Sequence, residues 1–165
     1  MAHATTSPYE GHQTNRWLYG LNIGFFAGLI GGLFHWLLYG IHFTTVLPGF
    51  MLDIFMKQSF LITYWGIAAG IAAFIVFSIG AAYLYLLTLG QYRGPWPGLL
   101  YGLFWWAVIY LGVGPWWGMV KPFRLLGWNS ITTECCFYLI WGLFIGYSIA
   151  FEFHDEASRE PVHAS

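Results

Sequence analysis

The sequence predicts an all-α protein, and more specifically a bundle of four transmembrane helices. Composition is the first reason, because hydrophobic residues make up 58% of the 165 residues and charged residues only 8%, whereas soluble domains carry about 25% charged residues. The second reason is four long apolar stretches, since about 20 helical residues cross a bilayer. The third is that glycines recur four residues apart in each stretch, a spacing that allows close helix contact in lipid.

The chain divides into one transmembrane domain at 17–153 and two polar tails at 1–16 and 154–165. Spans are predicted at 17–41, 60–89, 99–117 and 133–152. The first tail lacks the basic start and the short apolar core of a cleavable signal peptide, so we predict none. Prolines fall at the span ends, where a missing amide proton costs least, so the helices are expected to run unbroken through the membrane.

Glycine spacing predicts how these helices pack. Lipid tails are as apolar as leucine, so hydrophobicity cannot drive one span onto another, whereas close backbone approach at small residues can. We therefore expect the spaced glycines to lie at helix contacts. They are Gly20, Gly24, Gly28 and Gly32 in the first span, Gly66 and Gly70 in the second, Gly98 and Gly102 in the third, and Gly142 and Gly146 in the fourth.

Two segments of the chain look like copies of each other. Residues 28–36 align without gaps on residues 98–106, with six identities in nine positions. Because the first and third spans run in the same direction, a duplication would give two repeated helical hairpins. Chance similarity among residues that are common in this chain is the alternative.

His35 is an ionisable side chain well inside a predicted span. It follows Gly32 by three residues, so it lies close to the glycine face and should contact a neighbouring helix. Such a residue suggests a proton relay or a haem or metal ligand, but a neutral histidine bonded to a backbone carbonyl or a serine satisfies the same physics, and we favour that packing role. His42 lies at the membrane boundary, so the two histidines could bind one metal only with help from another helix. Neither a metal nor a cofactor is predicted.

Glu134 falls in the first turn of the predicted fourth span. A carboxylate there interacts favourably with the helix dipole, and Asn129 and Ser130 just before it are good capping residues. The alternative is an ion pair with Lys121 or Arg124 from the same connection.

Glu152 lies at the other end of that span, where the dipole disfavours an anion. We expect a cationic partner from the same side of the membrane, Arg93 first and Arg16 second. An even number of spans places both tails on one side. The flanking Lys and Arg residues divide three against three, so the positive-inside rule does not decide the orientation, and the missing signal peptide favours cytoplasmic tails.

The sequence contains no paired His-Glu zinc motif, nucleophile elbow or phosphate-binding loop. We therefore expect a non-catalytic bacterial cell-membrane protein that acts as a scaffold or accessory subunit through close helix packing. Its partners would be the lipid bilayer and another membrane protein or a second copy, and a net charge of −1 without a basic cluster argues against nucleic acid. The alternatives are a small oligomeric channel or transporter, and a haem- or metal-binding subunit of a membrane complex that uses His35.

Two segments also resemble a known family. Residues 93–106 (RGPWPGLLYGLFWW) and 142–152 (GLFIGYSIAFE) are similar to the YqhR family of small integral membrane proteins of spore-forming Gram-positive bacteria. The likeness runs from about residue 16 to 153 and is most specific in the third and fourth spans. It implies a four-span membrane protein of unassigned activity that is made during sporulation, and it brings no catalytic residues with it.

Overall fold

A computed structural model describes residues 15–92, 94–121 and 123–155 of the chain, except for the side chains of Phe123 and residues 153–155. Within these ranges every regular element is helical, which confirms the all-α prediction. The α-helices are α1 (Arg16–Gly40), α2 (Gln58–Leu61), α3 (Tyr64–Thr88), α4 (Trp96–Ala107), α5 (Gly114–Trp117) and α6 (Trp128–Asp155). Four stretches are long and apolar enough to cross a membrane, namely Arg16–Gly40, Tyr64–Thr88, Trp96–Trp117 and Trp128–Glu152.

The four spans pack as two antiparallel pairs. Span α1 packs along α3, and the third span (Trp96–Trp117) packs along α6, while contacts between α1 and α6 join the pairs. We call the face that carries the connections 41–63 and 118–127 the loop side, and the opposite face the tail side. Helix α1 begins on the tail side, where the side chain of Asn15 accepts a hydrogen bond from the backbone N–H of Trp17.

The third span is not a continuous α-helix, so the prediction of unbroken helices is wrong there. Residues Val108–Val113 form a π-helix between α4 and α5. The backbone N–H of Gly114 donates to the carbonyl of Ile109, five residues earlier, and a Cβ added to Gly114 would lie 2.2 Å from that oxygen. Pro115 follows directly and has no N–H to continue an α-helical ladder. Glycine and proline together therefore favour the wider turn, a feature that occurs often at functional sites.

The connection between α1 and α3 enters the bundle. Its residues Thr44, Val46 and Phe50 are buried. A Cβ added to Gly70, six residues into α3, would lie 2.6 Å from the Cα of Gly49, which places the loop backbone about 9 Å below the end of α3 at 1.5 Å per residue. Irregular backbone is tolerated at such a depth only where protein or a cavity covers it.

Candidate functional site

The predicted packing glycines of α1 lie against α3. A Cβ added to Gly24 would lie 2.5 Å from the Cα of Ile79, and one added to Gly28 would lie 2.4 Å from the Cα of Ile75. Such distances leave no room for a side chain. Gly20 and Gly32 also face α3, where they contact the side chains of Leu86 and Ile71.

In the second pair, glycines from both helices meet each other. Gly98 and Gly102 of α4 face Gly142 and Gly146 of α6, and we call these four residues the glycine seam. A Cβ added to Gly102 would lie 2.1 Å from the carbonyl oxygen of Tyr138, and one added to Gly142 would lie 2.5 Å from the Cα of Gly102. The two backbones are therefore in direct contact.

The glycines of α3 serve a different contact. A Cβ added to Gly66 would lie 2.2 Å from the carbonyl oxygen of Phe60, and Gly70 touches Gly49 as described above. Both therefore accommodate the buried connection 41–63 and do not pack against another span.

The loop-side half of the bundle contains a buried pair of ionisable side chains. Nε2 of His35 on α1 lies 3.0 Å from Oε1 of Glu134 on α6. The exposed fraction is 5% for His35 and 0% for Glu134. His35 lies five residues from the end of α1 and Glu134 six residues from the start of α6, so both lie about 8–9 Å inside the loop-side helix ends at 1.5 Å per residue.

This pair corrects the prediction for Glu134. Helix α6 begins at Trp128, not at residue 133, so Glu134 lies in the second helical turn and Ser130 lies inside the helix. Lys121 and Arg124 are exposed. The buried Oε1 of Glu134 is instead hydrogen-bonded to His35 and Thr44. The ion pair with Lys121 or Arg124 is therefore not formed. The prediction that His35 contacts a neighbouring helix is confirmed, but its partner is a carboxylate.

The buried connection supplies a third member of the site. The hydroxyl of Thr44 donates to Oε1 of Glu134 over 2.5 Å, while its oxygen accepts the backbone N–H of Val46 at 3.2 Å. The N–H of Val46 can only donate, so the Thr44 oxygen accepts there, while its own proton is donated to Glu134. Next to it, the backbone N–H of Thr45 donates to Oγ of Ser130 at 3.0 Å. Two successive residues thus attach the connection to α6.

Two phenols complete what we call the polar cluster, which consists of His35, Thr44, Tyr110, Glu134 and Tyr138. Tyr110 comes from the π-helix, and Tyr138 lies one turn after Glu134 on α6; both are buried. Both interact electrostatically with the Glu134 carboxylate, and the Tyr110 hydroxyl also lies close enough to it for a weak hydrogen bond. Yet Oε2 of Glu134 and both phenol oxygens have no hydrogen bond of standard geometry. The cluster therefore retains hydrogen-bonding capacity that its own side chains do not use.

Aromatic rings surround the imidazole. The ring centroid of His35 lies 5.3 Å from that of Phe137 and 6.1 Å from that of Phe50. Phe50 also lies 6.2 Å from the ring of Tyr110. These rings exclude water from the sides of the pair and strengthen its electrostatic interaction by lowering the local dielectric constant.

A cavity of about 320 Å³ lies on the loop side of Phe50. Its apolar wall includes Phe50, Val46 and Leu126, and its charged lining residues are Asp53 and Lys121. Phe50 lines the cavity and contacts both His35 and Tyr110. The Phe50 ring therefore lies between the cavity and two members of the polar cluster.

The remaining candidates lie outside the cluster. His42 is exposed and has a left-handed backbone (φ 62°) beyond the end of α1. Glu152 interacts electrostatically with Tyr19 on the tail side. Its predicted partner Arg93 lies outside the described residues, and the pairing with Arg16 stays a prediction. Within the described ranges, no three His, Cys, Asp or Glu residues are grouped to hold a metal ion.

Sequence reasoning missed three members of the polar cluster, namely Thr44, Tyr110 and Tyr138. Tyr138 carried a usable signal, because it follows Glu134 by four residues and such residues share a helix face. The Gly112-x-Gly114-Pro115 run could have indicated a disturbed helix around Tyr110. Thr44 carried no signal, since nothing in the sequence indicates that the connection folds into the bundle.

These features define a four-span integral membrane protein with a buried carboxylate–imidazole pair. The family model described as "Conserved membrane protein YqhR" matches residues 13–164. A protein of Bacillus subtilis (strain 168), described as "Uncharacterized protein YqhR", is 34% identical over 141 residues, which is 86% of this chain and 79% of that protein. The chain belongs to the YqhR family, as the resemblance in its third and fourth spans suggested. No solved structure matches it.

Proposed function

We propose that this protein is a small channel or transporter whose work depends on proton binding at the His35–Glu134 pair. The observation that carries this proposal is the pair itself, two ionisable side chains 3.0 Å apart and buried inside a predicted membrane region. Ionisable residues inside membrane spans are costly, and they typically mark ion pathways and proton relays. Among the functions that the sequence leaves open, the pair favours this one over a purely structural role.

Two backbone features support the proposal. Transport proteins use interrupted helices and irregular backbone near the site that binds the ion or substrate. Here the π-helix supplies Tyr110 and the buried connection supplies Thr44, so both irregular segments converge on one carboxylate. An unbroken four-helix scaffold would need neither.

The loop-side cavity gives the pair an approach from one face. Rotation of Phe50 would connect the cavity to the cluster, because the ring contacts both. With the tails in the cytoplasm, as we propose from the sequence, this cavity opens away from the cytoplasm. Catalysis is not part of the proposal, since the polar cluster offers no nucleophile beside a base in an open pocket.

Proton flux into proteoliposomes tests the proposal. Purified protein is reconstituted with a pH-sensitive dye inside the vesicles, and a pH gradient is applied with a potassium diffusion potential. We expect flux above that of empty vesicles, and we expect Glu134→Gln to abolish it because glutamine keeps the shape but cannot carry a proton. Glu152→Gln is the matched control, since it makes the same chemical change on the same helix outside the cluster, and it should keep the flux.

Folding is verified for each variant by monodisperse elution in detergent. Wild-type protein that elutes as one species and yet conducts no more than empty vesicles would overturn the proposal. Equal flux in wild-type protein and Glu134→Gln would show that the pair does not carry it. His35→Gln, which changes the other member of the pair, gives a second test.

An accessory or scaffold role is the second candidate, and one observation favours it. Three small residues, Ala68, Ala72 and Gly80, lie on one exposed stripe of α3, where the intervening position at four-residue spacing is the exposed Val76. A Cβ added to Gly80 meets nothing within 4 Å, so another helix could approach there. Mass measurement in mild detergent tests this role: Val76→Trp should reduce an oligomer or complex to the monomer mass, and a monomeric wild-type protein would remove the candidate.

A further inference from the structure

We propose that the polar cluster binds a water molecule, held between Oε2 of Glu134 and the hydroxyls of Tyr110 and Tyr138. These three polar atoms have no hydrogen-bond partner of standard geometry among the described side chains. The exposed fraction is 0% for Glu134, 2% for Tyr110 and 0% for Tyr138. The inference rests on this geometry alone and holds whether or not the protein transports protons.

The three groups converge on one place from two spans. Tyr138 follows Glu134 by four residues on α6, so both side chains lie on one face of that helix. The ring centroids of Tyr110 and Tyr138 lie 6.0 Å apart, and both phenols interact electrostatically with the same carboxylate. The other carboxylate oxygen is already occupied by His35 and Thr44, so Oε2 is the one left to face a ligand.

Hydrogen-bond chemistry selects water as the ligand. A carboxylate oxygen only accepts, whereas a phenol donates or accepts. Water can donate to Oε2 and to one phenol oxygen while accepting from the other phenol, and buried waters typically make about three such bonds. A metal ion fits less well, because the described residues offer no third carboxylate, imidazole or thiolate here.

The chain contains a matched comparison in Tyr85. Its hydroxyl is also buried without a hydrogen-bond partner, but it lies beside the glycine seam, where a Cβ added to Gly146 would be 2.9 Å from it. No carboxylate is among the groups that interact with it. Tyr85 therefore represents a buried phenol in a dry apolar contact.

The test uses phenylalanine substitutions and thermal unfolding of the full chain in lipid nanodiscs. Removing a truly unsatisfied hydroxyl removes a desolvation penalty, whereas removing one that binds water breaks a network. We expect Tyr110→Phe and Tyr138→Phe to lower the unfolding midpoint, with the double variant close to either single one. Tyr85→Phe should leave the midpoint unchanged or raise it.

Infrared difference spectra give a second readout that does not depend on stability. Exchange into H₂¹⁸O shifts the O–H stretch of a bound water, and this band should be present in wild-type protein and in Tyr85→Phe but lost in Tyr138→Phe. If the band is absent from wild-type protein, or if Tyr138→Phe is as stable as wild type, the site holds no water. A stabilised Tyr138→Phe combined with a destabilised Tyr110→Phe would instead show a direct bond from Tyr110 to Glu134.

Discussion

The two halves of this bundle are held together by different forces. On the tail side, the glycine seam joins α4 and α6 by backbone contact, with no polar side chain among its four members. On the loop side, hydrogen bonds within the polar cluster join α1, α6 and the connection 41–63, and the third span adds Tyr110, which interacts electrostatically with Glu134. Shape alone can therefore hold one pair of neighbouring helices, whereas the place where both pairs and a connection meet uses hydrogen bonds between polar side chains.

The forces differ in how they respond to change. Backbone contact at glycine depends on dispersion and is lost when a side chain is added. Removing one member of a buried ionisable pair destabilises the protein, because the remaining group stays desolvated without its partner. The glycine seam itself offers no group that can bind a proton, whereas the polar cluster contains an imidazole and a carboxylate.

The largest effect is expected from removing one member of the pair. Glu134→Leu leaves His35 and Thr44 without their acceptor and should lower the free energy of unfolding by about 3–5 kcal/mol if the pair is charged. A neutral hydrogen bond inside a membrane would cost only about 0.6 kcal/mol. Unfolding in increasing denaturant measures the difference. Adding His35→Leu should recover part of the loss, and no recovery would show that the two side chains are not coupled.

Adding one methyl group to the seam should be nearly as damaging. In Gly102→Ala the new Cβ would meet the carbonyl oxygen of Tyr138 at 2.1 Å, and overpacking of this kind costs about 3 kcal/mol. Denaturant unfolding again measures the change. Gly80→Ala is the control, since nothing lies within 4 Å of its added Cβ. If Gly102→Ala and Gly80→Ala changed the free energy of unfolding equally, the backbone contact between α4 and α6 would be contradicted.

A smaller effect is expected where the connection meets the cluster. Thr44→Val keeps the shape of the side chain but removes the bond to Oε1 of Glu134 and the bond from the backbone N–H of Val46, and two hydrogen bonds at roughly 1 kcal/mol each give a loss of about 2 kcal/mol in the free energy of unfolding. The released connection should also become accessible to a protease that cleaves near Phe50. Thr63→Val is the comparison, because its hydroxyl bonds only the nearby carbonyl of Phe60 and its side chain is exposed.

The smallest effect tests a polar contact between the two helix pairs, where α6 meets α3. Nε1 of Trp141 donates to Oγ of Ser78 at 3.1 Å, so Ser78→Ala should cost about 1 kcal/mol. A shift in the tryptophan fluorescence maximum would report the same loss. Ser148→Ala serves as reference, because the bond from Tyr19 reaches the backbone oxygen of Ser148 and not its hydroxyl. If Ser78→Ala destabilised the protein no more than Ser148→Ala, the bond between Trp141 and Ser78 would be contradicted.

The same contrast explains what could be predicted from sequence. The spans and the seam depend on spacing within single helices, and a period of four residues is visible in the chain. The pair joins residues 99 positions apart, and Thr44 lies 90 positions from Glu134, so no spacing rule connects them. The predicted position of Glu134 was wrong because Trp128, Asn129 and Ser130 looked like connection residues, whereas α6 begins at Trp128 and its buried Ser130 is bonded to Thr45 of the connection 41–63.

Direct detection of the pair in a bilayer would show whether an imidazole and a carboxylate from distant parts of the chain meet inside the membrane. Solid-state NMR on protein labelled with ¹⁵N-histidine and ¹³C-glutamate, reconstituted in liposomes, measures the dipolar coupling between Nε2 of His35 and the carboxyl carbon of Glu134. We predict a strong coupling, typical of hydrogen-bonded groups, which disappears in His35→Gln. A wild-type sample without this coupling would contradict the pairing on which the polar cluster and the proposed proton binding both depend.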